Sequence, residues 1–286
     1  MPGPLVPSRR FPTAEGVSVA GYDLGGGGPP LLLAHATGFC AAVLAPLGRH
    51  LTSRFHPYAL DERAHGLTDP PPGDDFDWHG FARDVLAVVD GFGLDRPYGF
   101  GHSCGGAALL LAEEARPGTF SGLYVYEPVV YPGDPPLEPT LENNPLSAGA
   151  LRRRETFGSR EEALANFSAK APFDLLDPEV LAAYVDSGFR TGTDGGVHLR
   201  CDRRHEALVY ANGFSHDAFR GLPQVGCPVT LACGADTDAF GPSFLDALAD
   251  RLPRATTVVL PGLGHFGPLQ DPAAVAASVL ADTPGP

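Results

Sequence analysis

Short apolar runs alternate with stretches of helical periodicity along most of this chain. The runs typical of buried parallel strands are residues 17–24, 31–34, 55–60, 98–101 and 123–126, and later 229–233 and 256–260. Between them, Phe81, Val85 and Val88 recur at helical spacing within residues 78–91. Further helices are predicted over 242–251 and 272–280. Strands that alternate with helices predict a mostly parallel sheet covered by helices on both faces.

Residues 132–222 interrupt this alternation. The segment 132–145 is rich in Pro, Asp and Glu, which is typical of a linker. Helix-like stretches follow at 146–157, 160–170 and 178–189, and a polar, partly strand-like stretch at 197–210. No strand followed by glycine occurs there, so we expect a helical lid over the carboxyl-terminal edge of the sheet. The predicted organisation is a core of residues 1–131 and 223–286 with a lid of residues 132–222.

Composition and charge limit the classes of function. A chain of 286 residues can bury one large core, with or without a sizeable insertion. No uninterrupted apolar run reaches the length of a membrane span, and residues 1–10 lack the apolar region of a secretory signal. The five cysteines are odd in number and form no close metal-ligand pair, which favours reduced thiols in a cytoplasmic protein. The net charge of −14 argues against nucleic acid or an anionic membrane as a partner.

The strongest candidate for chemistry is the stretch Gly-His-Ser-Cys-Gly-Gly at residues 101–106. It follows an apolar run and opens a helical run of small residues, which places G-x-S-x-G at a strand–turn–helix junction. Gly101 and Gly105 allow so tight a turn, in which the Ser103 backbone is strained and its hydroxyl exposed. The following helix directs its first N–H groups at any negative charge that forms there. The plainer interpretation is a serine that caps the helix.

Three further stretches accompany this turn in order. Residues 31–39, 61–69 and 261–266 resemble the strand with its H-G-x turn, the D-x-R-G-x-G-x-S segment and the histidine loop of the α/β-hydrolase superfamily. Residues 101–105 resemble its nucleophile turn, so the similarity extends over nearly the whole chain. The resemblance implies an α/β-hydrolase fold with the lid inserted after the sixth strand. It also implies a serine hydrolase of the esterase or lactonase type that needs no metal or organic cofactor.

The resemblance assigns roles to particular residues. Ser103 is expected to be the nucleophile, and serine at this position points to acyl transfer. His265 is expected to be the general base, since it lies in a glycine-flanked loop after a strand near the end of the chain. His102 beside the nucleophile and His35 at the oxyanion turn are expected to form hydrogen bonds around the site. Together with Phe39 they are the candidate substrate-binding residues.

The acid that orients His265 stays open at this stage. Family members carry it either after the seventh strand or at the end of the sixth. Glu127 ends the sixth predicted strand, where a buried carboxylate needs a partner such as an imidazole N–H. Asp236 and Asp238 follow the seventh, but turn and capping chemistry also explains them. We favour Glu127, then Asp236, then Asp238.

The oxyanion hole is expected to consist of two backbone amides, those of Thr37 and Cys104. Cys104 opens the helix after the nucleophile, and its thiol is expected to be inert. Thr37 follows from matching residues 35–37 to the H-G-x turn, although Ala36 replaces the usual glycine.

The expected substrate is a small or medium apolar carboxylic ester or lactone, because the lid is rich in aromatic residues that can line a pocket. The same triad serves carbon–carbon bond hydrolysis and thioester hydrolysis, and a hydrolase fold can also act as a small-molecule receptor. These alternatives remain open, as does a homo-oligomer.

Overall fold

The computed structural model describes residues 3–133, 141 and 143–283. Its strands are β1 (Arg9–Pro12), β2 (Ser18–Asp23), β3 (Pro30–Ala34), β4 (His56–Leu60), β5 (Tyr98–His102), β6 (Gly122–Tyr126), β7 (Thr156–Phe157), β8 (Phe189–Thr191), β9 (Val197–Leu199), β10 (Val229–Gly234) and β11 (Ala255–Leu260). Eight of them form one sheet in the order β1-β2-β4-β3-β5-β6-β10-β11, and β7-β9-β8 form a small second sheet. The seven predicted strands are present, with ends that differ by one residue.

The large sheet is parallel from β4 through β11. The expectation that residues 17–24 form a parallel strand is wrong, because β2 runs antiparallel to both β1 and β4. Only residues 13–17 join β1 to β2, and so short a connection allows a hairpin but no crossover.

Helices cover both faces of this sheet. The α-helices of the described chain are α1 (Ala45–Leu51), α2 (Trp78–Phe92), α3 (Cys104–Ala115), α4 (Pro145–Leu151), α5 (Arg160–Ser168), α6 (Pro178–Ser187), α7 (Arg203–Ala211), α8 (Ala218–Gly221), α9 (Pro242–Ala249), α10 (Gly267–Gln270) and α11 (Pro272–Asp282). Residues of α2, α3 and α9 pack with Leu32 in one buried cluster, and residues of α1 and α11 pack with Leu31 and Leu33 in another. Consecutive strand residues point to opposite faces, so β3 contributes to both clusters.

The chain between β6 and β10, here called the insertion, carries α4 to α8 and the small antiparallel sheet. The expected helices are accompanied by strands, and β9 lies in the stretch 197–210 that was expected to be partly strand-like. The predicted helices 146–157 and 178–189 end early, at Leu151 and Ser187, and their last residues, Phe157 and Phe189, lie in strands with ring centroids 5.8 Å apart.

Of the predicted linker 132–145, residues 134–140 and 142 lie outside the described residues. Within the part of the chain that the structure describes, no helix combines the length and the apolar character needed to cross a membrane.

Candidate active site

Ser103 lies at the sharp turn between β5 and α3. Its backbone has φ +54° and ψ −114°, a conformation that residues other than glycine rarely adopt. The turn requires the neighbouring glycines, since a Cβ on Gly101 would lie 2.6 Å from Cα of Gly106 and one on Gly105 would lie 2.3 Å from the carbonyl oxygen of Ala34. The backbone N–H of Ser103 donates to the carbonyl of Tyr126 at 2.9 Å, which ties the turn to β6.

Glu127 follows β6 directly and is fully buried. Its Oε2 lies 2.7 Å from Nδ1 of His265 and accepts a hydrogen bond from the Thr237 hydroxyl at 2.8 Å. Its Oε1 accepts from the backbone N–H of Gly234 at 3.1 Å. The backbone N–H of Phe240 is a fourth donor, at 3.4 Å from Oε2. A carboxylate held in this way fixes the imidazole, and a proton on Nδ1 leaves Nε2 of His265 as the basic nitrogen.

Neither alternative acid occupies this position. Asp236 and Asp238 are exposed, and among the described residues neither is hydrogen-bonded to His265. The backbone N–H of Asp236 donates to Leu263 at 2.9 Å, and Thr237 between the two aspartates turns inward to Glu127. The geometry therefore brings together Glu127 and His265, while Asp238 reaches only the wall of the cavity described next.

A cavity of about 680 Å³ opens above the carboxyl ends of the parallel strands. Ser103, His265 and Thr37 line it from the sheet side, and residues of the insertion close it from above. Most of the wall is apolar, with the aromatic side chains of Trp78, Tyr131, Tyr210, Phe214, Phe240 and Phe266. An apolar cavity at this edge of a parallel sheet is the usual location of a small-molecule site.

Two backbone amides beside Ser103 have no acceptor. Within the described ranges, the N–H groups of Thr37 and Cys104 donate to neither backbone nor side chain. The neighbouring N–H of Gly105 donates to the carbonyl of His35 at 3.1 Å, which joins the two turns. Burial raises the pKa of the Cys104 thiol well above its ordinary value, so this side chain stays neutral.

The expected substrate-binding histidines lie outside the cavity wall. Both are fully buried. Nδ1 of His35 lies 2.8 Å from the carbonyl of Ala36, and its Nε2 accepts from the backbone N–H of Glu62 at 3.0 Å. Nε2 of His102 lies 2.8 Å from the carbonyl oxygen of His265. Burial lowers the pKa of His35 to about 4 and that of His102 well below its ordinary value, so both rings hold loops in place as neutral groups.

Phe39, the third candidate, is also buried outside the cavity wall. Its ring lies 5.4 Å from that of Tyr184 in the insertion and 5.9 Å from that of Phe266. It therefore connects the turn after β3 with the insertion and with the residue next to His265.

His65 was not among the predicted site residues, yet its Nε2 accepts a hydrogen bond from the backbone N–H of Gly38 at 2.9 Å. Its position inside the stretch 61–69 was the available signal. The sequence analysis expected aromatic lid residues to line a pocket, as Tyr210 and Phe214 do, but the sequence cannot show which residues of the insertion face the serine. Among the described residues, no group of three His, Cys, Asp or Glu side chains could hold a metal ion.

Comparison with known families decides the membership of this chain. The profile of the alpha/beta hydrolase family matches residues 31–278. The chain belongs to the α/β-hydrolase family. This confirms the fold expected from the four sequence stretches and makes the protein a relative of known hydrolases.

Individual relatives are distant. The chain is 24% identical to the 2-(acetamidomethylene)succinate hydrolase of Mesorhizobium japonicum, over 84% of this chain and 83% of that protein. It is 30% identical to the N-formylmaleamate deformylase of Pseudomonas putida, over 91% of this chain and 90% of that protein. A crystal structure of E-2-(acetamidomethylene)succinate hydrolase superposes with a TM-score of 0.79 at 21% identity, covering 96% of this chain and 97% of the other. The names of these hydrolases give different substrates, so the fold alone does not set the substrate.

Proposed function

We propose that this α/β-hydrolase cleaves small or medium carboxylic esters or lactones through an acyl-enzyme on Ser103. The observation that carries the proposal is the hydrogen-bonded pair of buried Glu127 and His265, with His265 and Ser103 in the wall of one apolar cavity. A serine at a strained turn, a histidine and a buried carboxylate are the components of nucleophilic acyl transfer.

In this mechanism Oγ of Ser103 attacks the substrate carbonyl while Nε2 of His265 takes its proton. The oxyanion binds the free N–H groups of Thr37 and Cys104. The tetrahedral intermediate collapses, the C–O bond of the ester breaks, and His265 returns the proton to the departing alcohol. A water molecule, deprotonated by His265, then hydrolyses the acyl-enzyme. Glu127 keeps the imidazole oriented and stabilises its charged form.

The charge of the cavity favours an uncharged substrate. The names of the two relatives above refer to a succinate and a maleamate, which carry carboxylates. The described wall of this cavity contains no Lys or Arg. A buried substrate carboxylate would therefore lack a cationic partner, which is costly. We infer an ester or lactone without a charged acyl group.

Hydrolysis of p-nitrophenyl esters of graded acyl length tests the proposal. We expect fast multiple turnover by the wild type and a loss of about 10⁴-fold or more in Ser103→Ala, since a triad member is removed. Ser121→Ala, an exposed serine at the opposite edge of the sheet, is the matched control and should keep full activity.

Three results would contradict the proposal. Activity of Ser103→Ala within tenfold of wild type would remove Ser103 as the nucleophile. A single slow turnover accompanied by a thermal shift would favour a receptor. Faster turnover of a thioester or of a carbon–carbon substrate than of every ester would move the function to those reactions.

A further inference from the structure

Two parts of the protein contact the turn that carries the Thr37 amide: the core and the insertion. From the core, Nε2 of His65 accepts the hydrogen bond of the Gly38 N–H at 2.9 Å. Burial lowers the pKa of His65 to about 3, so the ring stays a neutral acceptor. Gly38 has φ +83°, in the left-handed region, and it follows Thr37 directly. Its position therefore sets the plane of the peptide next to the proposed oxyanion donor.

The insertion contacts the opposite side of the same residue with an ion pair. Arg153, which follows α4, pairs with Glu206 of α7 and also binds the Tyr184 hydroxyl of α6. A Cβ on Gly38 would lie 2.8 Å from Oε1 of Glu206 and 3.3 Å from Nη1 of Arg153. The pair thus lies against the Gly38 backbone with no room for a side chain between them.

These charged groups are out of water. Glu206 is 4% exposed and the Arg153 side chain 16%. Burial acts to lower the pKa of Arg153, but Tyr184 and Glu206 outweigh it and the pKa is raised, so the guanidinium stays charged. A buried ion pair adds little net stability compared with apolar residues of similar size, because desolvation offsets its attraction. What it provides is a fixed arrangement of three parts of the insertion around one turn.

We propose that Arg153 and Glu206 are positioning residues for the oxyanion hole. The ion pair of the insertion packs against Gly38, and His65 accepts the hydrogen bond of the Gly38 N–H from the core. Together these contacts keep the N–H of Thr37 directed at the cavity. The inference rests on the proposed acyl-transfer function. It makes docking of the insertion a condition for fast acylation, in addition to its role as a cavity wall.

The rate at which a fluorophosphonate labels Ser103 tests this directly, with the labelled residue identified by mass spectrometry. In that reaction Oγ of Ser103 forms a P–O bond, fluoride leaves and His265 takes the proton. The rate depends on the oxyanion hole but not on the natural substrate. Gly38→Ala is compared with Gly25→Ala, because Gly25 has φ +78° but nothing within 4 Å of a Cβ. The two variants share a positive φ but differ in contact and in location, so this comparison tests whether the Gly38 turn controls labelling, and the ion-pair variants below test the pair itself.

We expect Gly38→Ala to be labelled about tenfold or more slowly than Gly25→Ala, since misplacing one oxyanion donor costs part of the 10²–10³-fold that its removal costs. Equal rates in the two variants would overturn the proposal. If Gly38→Ala fails to fold, the ion-pair variants below decide the question instead.

Arg153→Met combined with Glu206→Leu removes the pair without leaving a buried charge alone. We expect this double variant to melt near the wild-type temperature and yet to lose about tenfold in labelling rate and in kcat, with KM little changed. Labelling of the double variant at the wild-type rate, whatever its melting temperature, would show that the pair does not position the oxyanion hole, and would overturn the inference. Failure of wild-type protein to be labelled at Ser103 would instead contradict the proposed function.

Discussion

At the scale of single residues, the site depends on a carboxylate at the end of a strand. Glu127 has φ +45°, which a non-glycine residue adopts only when its surroundings hold it there. Its backbone N–H donates to Ala232 at 2.8 Å, and its side chain accepts from Thr237 and Gly234. The sequence narrowed the acid to three candidates, since each follows a predicted strand. It could not rank them by contact, because the distance to His265 depends on loops more than 100 residues apart.

Replacing the candidates one at a time tests the assignment. Glu127→Gln should lower kcat by about 10³–10⁴-fold with little change in KM, because the amide cannot stabilise the charged imidazole. Asp236→Asn and Asp238→Asn are the matched controls, both exposed and both in the loop after β10. Each should cost at most about 1 kcal/mol of stability as a turn residue. Steady-state kinetics of the three variants on one p-nitrophenyl ester measures the difference, and a large loss in Asp236→Asn with none in Glu127→Gln would move the acid to that loop.

At the scale of elements, apolar runs predicted the strands that are buried on both faces. β3, β5, β6 and β10 are such strands, and their hydrophobic character follows from burial rather than from pairing. Of the short strands, β1 was missed, β7 and the start of β8 were assigned to helices, and β9 lies in the stretch 197–210 that was expected to be partly strand-like. β1 and the three strands of the insertion have two to four residues each, too few to show a period of two. Their conformation depends on partners distant in sequence.

The first helix of the insertion is expected to limit acyl length. Leu146 in α4 lines the cavity and is 59% exposed, so a larger side chain there fills the entrance without disturbing a packed core. Leu146→Trp should lower kcat/KM for long acyl esters by about tenfold, a size effect of 1–3 kcal/mol, and leave acetate esters nearly unchanged. Leu175→Trp is the matched control, since Leu175 is 58% exposed in the insertion but outside the cavity wall. An equal loss for all chain lengths in Leu146→Trp would contradict a role in selecting acyl length.

At the scale of the whole molecule, the site lies where the carboxyl ends of the parallel strands meet the insertion. The four sequence stretches fixed which turns converge at the strand ends, because local motifs determine those turns. The cavity wall was not predictable in the same way. Trp78, Tyr131 and Tyr210 come from separate parts of the chain, and only the packing of the insertion brings them over Ser103.

Two buried titratable groups make the stability of the protein depend on pH, and their effects have opposite signs. Burial lowers the pKa of His216 to about 4; its ring stacks on Trp78 at 5.0 Å and its Nε2 lies 2.9 Å from the carbonyl of Val129. Below its ordinary value of 6.5 the unfolded chain takes up a proton that the folded chain does not, so this contribution to stability is lost as pH falls toward 4. Burial raises the pKa of Glu114 to about 8, so the folded chain keeps a proton that the unfolded chain loses, and stability is lost as pH rises from about 4.5 to 8.

Urea unfolding of two variants at pH 7.5 and pH 5 separates these effects. His216→Gln should be less stable than wild type at pH 7.5, and the difference should shrink by about 2 kcal/mol at pH 5, because the wild type alone loses the histidine contribution. Glu114→Gln should behave in the opposite way, gaining stability over wild type as pH rises from 5 to 7.5, because the amide carries no charge to bury. Each variant serves as the other's control, since general acid or base damage to the fold would shift both differences in the same direction. A stability difference for His216→Gln that stays constant with pH would mean that the ring takes up its proton in the folded protein at the same pH as in the unfolded chain, against its two hydrogen bonds as a neutral group.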